Sequence, residues 1–424
     1  MLEDLNDLSG PLFESAGNEV VATETLGGHL GTDEQPQHAL LSDSVEHETQ
    51  GRTTTVKPDG NHDAYLIVTD ERVLVILGDQ PETVEIEFDL RSISRCNLKS
   101  GFLSTTFIVG HSDESVRFSP TDGNPERVSE YVQLVSEVYT EVGSAIQSAE
   151  GFTEEMETKL RQAKTTGEIV DVTRLRLRVR SQLSEARHLA TREDGVPTDK
   201  LLERIEERKA EFHQRYVDAW VERAETAIQT AEEAAEDGDF ETVCSAYRTA
   251  NEAVETLEDA LEDFEDPPDE APATLERLAD RTDDIATRYV EATQAAYETA
   301  TDATDPETAA TNWLETYRRL SSARAANWTD LDGSSELPLG EIESVASETV
   351  TALDRHAEDL EASGEAAIDD DADRAREHFQ AAIERIQQAK TVATEATSID
   401  VDYDARLDDL QEQIEVTEWQ WGTG

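Results

Sequence analysis

Apolar and polar residues alternate through the first third of the chain, from residue 37 to residue 118. A period of two is typical of β-strands that have one buried face, and Gly and Asp residues between the apolar runs are typical of turns. The pattern predicts about seven strands. They lie at residues 37–41, 64–69, 72–77, 84–89, 93–98, 105–109 and 115–118.

The period becomes helical after Gly123-Asn124-Pro125, a sequence that is typical of the start of a helix. One face of the predicted helix carries Val128, Tyr131, Val132, Val135, Val138 and Val142. Strands followed by such a helix predict a small antiparallel β-barrel or sandwich that the helix closes. Residues 1–27 contain 6 acidic and no basic residues, and we expect a flexible acidic segment. Leu2, Leu5, Leu8 and Leu12-Phe13 within it could form a short docking helix.

The rest of the chain reads as helix and repeats with a period of 66 residues. Asp239, Asp305 and Asp371 occupy equivalent positions, each at the predicted start of a helix, where a side-chain oxygen can cap exposed amides. Each is followed by the same apolar stripe, with a large aromatic residue at one level: Tyr247, Trp313 and Phe379. We expect these three to be buried residues of helix-to-helix seams rather than ligand contacts.

Pro197, Pro267-Pro268 and Pro338 divide the helical region into hairpins. The predicted fold class is therefore α+β, with a small antiparallel β-barrel and its C-terminal helix ahead of an elongated all-α hairpin region. The predicted domains are a segment at 1–27, a β domain at 28–142, and helical hairpins at 143–196, 197–266, 267–336 and 337–424, the last with a C-terminal tail.

Charge narrows the choice of function. The chain has 96 Asp plus Glu against 36 Lys plus Arg, a formal net charge of −60. Because the acidic excess is spread over every segment, it resembles the solvated surfaces of cytoplasmic proteins from salt-in halophilic archaea. We expect no nucleic-acid binding, since such a charge repels phosphates. The N-terminus lacks a secretory pattern and no apolar stretch is long enough to span a membrane, which favours a cytoplasmic location.

Residues 28–142 resemble the bacterial pleckstrin-homology-like (PH-like) domains, in particular the YokE-type and GRAM-like branch. The similarity lies in residues 65–76, where two apolar strands meet at Thr69-Asp70-Glu71-Arg72, and in the acidic opening at 31–36. Residues 88–93 and 99–103 resemble the turn and the glycine hairpin of that family. The resemblance implies a fold, but no ligand, because these motifs are structural.

Three groups of residues are candidate ligand or partner contacts. Basic residues in the β domain are dispersed, which does not favour a headgroup pocket, and exposed sheet edges or the groove beside the closing helix suit a peptide better. Four arginines alternate along the next segment. Their spacing suits a strand, but we expect a helix because the neighbouring sequence is helical. Pairing with acidic neighbouring helices is the favoured role of these arginines, and a protein interface is the alternative. The candidates are Arg91, Arg95 and Lys99; Arg174, Arg176, Arg178 and Arg180; and the terminal pair Trp419 and Trp421.

The chain contains no phosphate loop, no paired-cysteine motif and no nucleophile elbow. We therefore expect no enzyme, cofactor or metal, but an interaction or scaffold protein. Its PH-like domain would bind a protein partner, and its helices would provide an elongated docking surface. The alternatives are a peripheral membrane adaptor and, less favoured, an enzyme with an unrecognised site. Partner identity and oligomeric state are open at this point.

Overall fold

The structure is a computed structural model that describes residues 29–31, 34–78, 80, 83–101, 104–163, 166–193, 195–327, 341–396, 399 and 401–421. At residues 166–168 and 418–421 it describes the backbone alone. The chain forms two compact units, Met1–Tyr216 and Val217–Gly424. The predicted segment at 1–27 lies outside the described residues. No helix in the described ranges is long and apolar enough to cross a membrane.

The first unit begins with nine described strands, all antiparallel to their neighbours. They are β1 (Pro36–Ser42), β2 (Val45–Thr49), β3 (Arg52–Val56), β4 (Ala64–Thr69), β5 (Arg72–Leu77), β6 (Val84–Asp89), β7 (Arg95–Ser100), β8 (Thr105–His111) and β9 (Glu114–Phe118). A first sheet has the order β1-β4-β5-β6, and a second sheet has the order β3-β2-β9-β8-β7.

The two sheets are not closed into the barrel that the sequence predicts, because no hydrogen-bonded strand pair in the described ranges joins them. The chain leaves β6 through a 3-10 turn at Leu90–Ser92, capped by the Asp89 side chain, and enters the second sheet at β7. Because of this turn, β6 and β7 belong to different sheets and do not pair with each other. An antiparallel β region followed by long helices is nevertheless the α+β class that was predicted.

Alternation in the apolar strands determines which side chains form the core. Leu66 and Val68 in β4 lie beside Val73 and Val75 in β5, and all four are buried in one cluster with both sheets. The bounds predicted for β4, β5 and β6 are those observed. The hairpin of β2 and β3 was not predicted, since β3 is mostly exposed and has no apolar stripe.

Helix α1 (Pro125–Gln162) covers this core and begins where the sequence predicts. The Asn124 side chain accepts hydrogen bonds from the amides of Glu126 and Arg127, and the helix buries Val128, Val132 and Val135. The helix continues past residue 142 without a break. It packs along helix α2 (Thr166–Thr191), and helix α3 (Asp199–Asp237) follows.

Beyond the end of α3, the second unit consists of six described helices, three of which start at the predicted 66-residue intervals. They are α4 (Phe240–Asp263), α5 (Ala271–Asp302), α6 (Pro306–Ala325), α7 (Ile342–Ala367), α8 (Ala372–Glu395) and α9 (Asp404–Trp421). Asp239, Asp305 and Asp371 are the N-caps of α4, α6 and α8, and each side chain accepts a hydrogen bond from the amide three residues later. The capping prediction is confirmed at all three positions. The helices fall within the predicted hairpin ranges, while the division into domains stays a prediction.

The three equivalent aromatic residues do not have equal burial. Tyr247 is 2% exposed and Phe379 is 0% exposed, as expected for seam residues. Trp313 is half-buried, and its ring lies edge-on to Tyr297 with a centroid distance of 5.3 Å. The seam around Trp313 is therefore less closed than the corresponding seams around Tyr247 and Phe379.

Candidate partner-binding groove

Ion pairs join alternate helices at the first seam of the second unit. Arg277 and Arg281 on α5 reach Glu225 and Glu232 on α3, at 2.9 and 3.1 Å. Each pair is partly exposed and contributes little to stability by itself. Its structural effect is to bring long side chains across the space between the two helices.

A similar arrangement closes the last seam, between α7 and α9. Arg406 on α9 donates to Glu361 on α7 at 2.8 Å and lies 3.5 Å from Asp354. The Tyr403 hydroxyl donates to Asp354 at 2.9 Å. An arginine and a tyrosine thus bridge α7 and the start of α9.

The middle seam, between α5 and α7, has no such bridge. Both helices contain a fully buried threonine, Thr282 or Thr349, whose hydroxyl donates to the carbonyl four residues earlier. When the sequences of α5 and α7 are aligned on these threonines, an offset of 67 residues, Ser344 and Glu348 of α7 correspond to Arg277 and Arg281 of α5. Among residues 271–302 and 342–367, all of them described, no ion pair joins α5 to α7.

An open groove with a volume of about 460 Å³ lies at this seam. Its walls are the C-terminal turn of α5 and the N-terminal half of α7, and the start of α6 forms its floor. Trp313 and Tyr297 give the groove an aromatic surface. The Thr349 hydroxyl of α7 donates a hydrogen bond to the backbone carbonyl of Trp313 at 3.0 Å. We call this the α5–α7 groove.

The charges in the α5–α7 groove are arranged along α7. Glu341, Glu348 and Arg355 line it at intervals of seven residues, with Glu348 midway between the other two, and all three are exposed. None of them forms an ion pair with another described residue. Glu348 and Arg355 are seven residues apart, which is about 10 Å along a helix. Asp305 also lines the groove, but its side chain is the N-cap of α6. Hydrogen bonds from the Thr308 amide and hydroxyl lower its pKa.

The groove therefore combines an aromatic surface with two carboxylates and a guanidinium that form no ion pair among the described residues. Its ionisable lining groups are Asp305, Glu341, Glu348 and Arg355, with Tyr297 beside them. Such a surface is complementary to a ligand that has a cation, an anion about 10 Å from it, and an apolar group for Trp313. A peptide segment has this chemistry.

Arg91, Arg95 and Lys99 do not converge on one pocket. Arg91 lies over the Tyr139 ring, 5.9 Å from its centroid. Arg95 and Lys99 are exposed on the same face of β7, an edge strand. Gln133 of α1 donates to the Cys96 carbonyl at 2.8 Å, so a side chain already occupies part of this edge.

The four alternating arginines lie on α2, so the predicted helix is observed and the alternation spreads them around its axis. Arg174 pairs with Asp171 at 2.9 Å. Arg176 and Arg178 lie over the aromatic rings of Tyr216 and Phe152, 5.7 and 5.5 Å from the centroids. Arg180 is exposed. Trp419 and Trp421 are in the last turns of α9, and their side chains lie outside the described residues.

Sequence reasoning missed the groove, although one signal for it is present. The 66-residue alignment identifies the helix starts, but in α7 the buried stripe is displaced by one residue from that alignment. When the alignment of α7 is shifted by this one residue, Ser344 and Glu348 occupy the positions at which α5 has Arg277 and Arg281. Only the packing of α7 reveals the displacement.

Comparison with protein-family models, with curated proteins and with solved structures finds no match to this chain. Within the described residues, no group of three or more His, Cys, Asp and Glu side chains is arranged to hold a metal ion.

Proposed function

We propose that this chain is a non-catalytic interaction protein whose helical unit binds a peptide segment of a partner protein in the α5–α7 groove. The segment carries Lys or Arg near Glu348, an apolar or aromatic side chain against Trp313, and an acidic group near Arg355. The observation that carries this proposal is the contrast between seams: long side chains bridge the first and last, whereas in the described part of the chain no ion pair crosses the middle one, where the groove lies.

The β region is proposed to be a PH-like domain in a protein of a salt-rich cytoplasm. The order of two antiparallel sheets and a covering helix supports this fold, as does the Thr69-to-Arg72 hairpin. Short-range contacts suit such a compartment, because the Debye length is only about 3 Å in 1 M salt. Paired charges in contact within a groove are screened far less than distant ones.

The α5–α7 groove is a better peptide site than the β7 edge. Gln133 already bonds part of that edge, and Arg95 and Lys99 are isolated cations on it. Dispersed cations also give an anionic headgroup no convergent donors, so the same arrangement does not favour the membrane adaptor.

Peptide display against the full chain in molar KCl tests the proposal. We expect enriched peptides to share a basic residue, an apolar residue and an acidic residue in that order or its reverse. The variant Glu348→Arg places an arginine where α5 has Arg281, and we expect it to weaken binding of those peptides by about tenfold, or about 1.4 kcal/mol.

Glu343→Arg is the matched control, since it makes the same change of charge on an exposed position of α7 outside the groove lining. It should bind as the unmodified chain does. Trp313→Phe should reduce the change in tryptophan fluorescence that accompanies binding. Equal loss in Glu343→Arg and Glu348→Arg, or enrichment of peptides without a common pattern, would reject the proposal.

A further inference from the structure

The first sheet has a second apolar surface on the face away from the core. Ile67 of β4 and Leu74 and Ile76 of β5 lie there, 7%, 0% and 5% exposed, and form a cluster separate from the main core. Leu30, Tyr65 and Val84 pack against it, half-buried. An antiparallel sheet commonly leaves one face to water and places polar residues on it. This face carries buried apolar residues instead, so another segment must lie on it and keep water away.

Leu30 is the one member of the described cluster that comes from outside the sheet, because Tyr65 belongs to β4 and Val84 to β6. A single leucine is too small to cover three large aliphatic side chains on two strands. More apolar surface is needed, and it must come from a segment that can reach this face.

A network of hydrogen bonds fixes the chain at the same face just before β1. The Arg72 guanidinium donates to the His29 carbonyl at 2.6 Å and to both oxygens of Glu34, at 2.9 and 2.8 Å. Glu34 in turn accepts from the Gly31 amide at 2.8 Å. Residues N-terminal to His29 therefore start from the outer face of the first sheet.

The residues before this anchor have the pattern that the face requires. Leu2, Leu5 and Leu8 recur every three positions, which places them on one side of a helix; Gly10-Pro11 would end that helix, and Leu12 and Phe13 follow the break. The acidic residues Glu3, Asp4 and Asp7 fall between them. Fifteen residues, 14–28, separate this stretch from His29; at about 3.3 Å per extended residue they reach about 50 Å, well beyond the length of a six-residue strand.

We propose that residues 2–13 dock on the outer face of the first sheet, residues 2–9 as a short amphipathic helix, and cover Ile67, Leu74 and Ile76. The occupant of this face is the chain's own N-terminal segment. Burial of the leucines holds it there, while its acidic residues remain in water on the opposite side.

Photo-crosslinking in the full-length chain tests where the segment lies. Benzoylphenylalanine replaces Leu5 or Leu8 in separate samples, and Asp7, on the other side of the predicted helix, in the control. Crosslinks from positions 5 and 8 are expected in peptides that contain Ile67, Leu74 or Ile76, with far fewer from position 7. Crosslinks to other regions, or equal yields from all three positions, overturn the proposal.

Mixing chains of ordinary and heavy-isotope composition shows whether each crosslink lies within one chain. Crosslinks between a light and a heavy chain would assign the face to a second copy and reject the proposal. As an independent measurement, Leu5→Ser with Leu8→Ser should lower the melting temperature and raise the binding of a hydrophobic dye. Glu3→Gln with Asp7→Asn should change neither in that direction, and equal effects from the two double variants also reject the proposal.

Discussion

Glu34 is 7% exposed yet carries a charge, because the residues around it supply hydrogen bonds to both of its oxygens. Arg72, the Gly31 amide and the Thr69 hydroxyl all donate to this carboxylate, and Thr69 also accepts from the amides of Glu71 and Arg72. Burial alone would raise the pKa of Glu34, but these hydrogen bonds outweigh it and lower the pKa from 4.5 to about 2. The network fixes the chain before β1 to the turn between β4 and β5.

The stabilisation from Glu34 should depend on pH in a defined window. Since its pKa is lower in the folded state, the unfolded chain takes up the proton first as the pH falls. The contribution is complete above about pH 4.5 and is lost between pH 4.5 and about 2. Glu34→Gln should cost about 3 kcal/mol at neutral pH, and this deficit should shrink as the pH falls. Thermal melts of both chains between pH 7 and 2 measure the difference.

Glu87→Gln is the control for this measurement, because Glu87 pairs with the same arginine at 2.9 Å but is 50% exposed. Its removal should cost well under 1 kcal/mol. A Glu34→Gln deficit that stays constant over the whole pH range would show that the carboxylate is not the source of the stabilisation.

At the scale of elements, small residues determine how closely the helices approach. Gly364 of α7 lies against the ring of Phe379 on α8, and a methyl group built at Gly364 would lie 2.6 Å from a ring carbon. This contact completes the burial of Phe379 within the last hairpin. At the corresponding level of the middle hairpin, Trp313 meets Tyr297 instead and stays half-buried.

Gly364→Ala should therefore destabilise the chain, although alanine favours a helix by up to about 1 kcal/mol over glycine. The ring has little room to move in a closed seam, so we expect a net loss of about 1 to 3 kcal/mol. The control is Gly151→Ala in α1, where nothing lies within 4 Å of the added methyl group. That variant should gain about 0.5 to 1 kcal/mol. Chemical denaturation of both variants checks the opposite signs, and a gain in both would disprove the close contact.

At the scale of the whole molecule, charge is the dominant feature. The formal net charge is −60, and the ion pairs of the described residues use arginines and lysines that are far outnumbered by carboxylates. Most acidic side chains thus repel one another across the surface unless counterions screen them.

Folding should consequently require salt. On transfer from molar KCl to dilute buffer, the Debye length rises from about 3 Å to about 30 Å, so repulsion acts over much of the molecule. We expect circular dichroism to show cooperative loss of helix and the melting temperature to fall. A sucrose solution of equal osmolality is the control and should not replace KCl. A melting temperature that is independent of salt would contradict the interpretation of the acidic surface.

Local patterns in the sequence determined the elements of this protein. Alternation placed β4, β5 and β6 at their observed bounds, and Asn124-Pro125 marked the start of α1. The three aspartate caps followed from the 66-residue period. These features depend on neighbouring residues along the chain, since a cap or an amphipathic stripe is satisfied within one or two turns.

Features that depend on residues far apart in the sequence, such as strand pairing and the rotation of a helix, were decided by the tertiary structure alone. β2 pairs with β9, whose partner residues are about 70 positions away, and its weak apolar pattern gives no local sign of a strand. Whether the sheets close depends likewise on pairing across the fold. The α5–α7 groove exists because α7 turns a different set of side chains towards α5 than the repeat predicts. The rotation of one helix about its axis is set by packing on both sides, which no single helix specifies by itself.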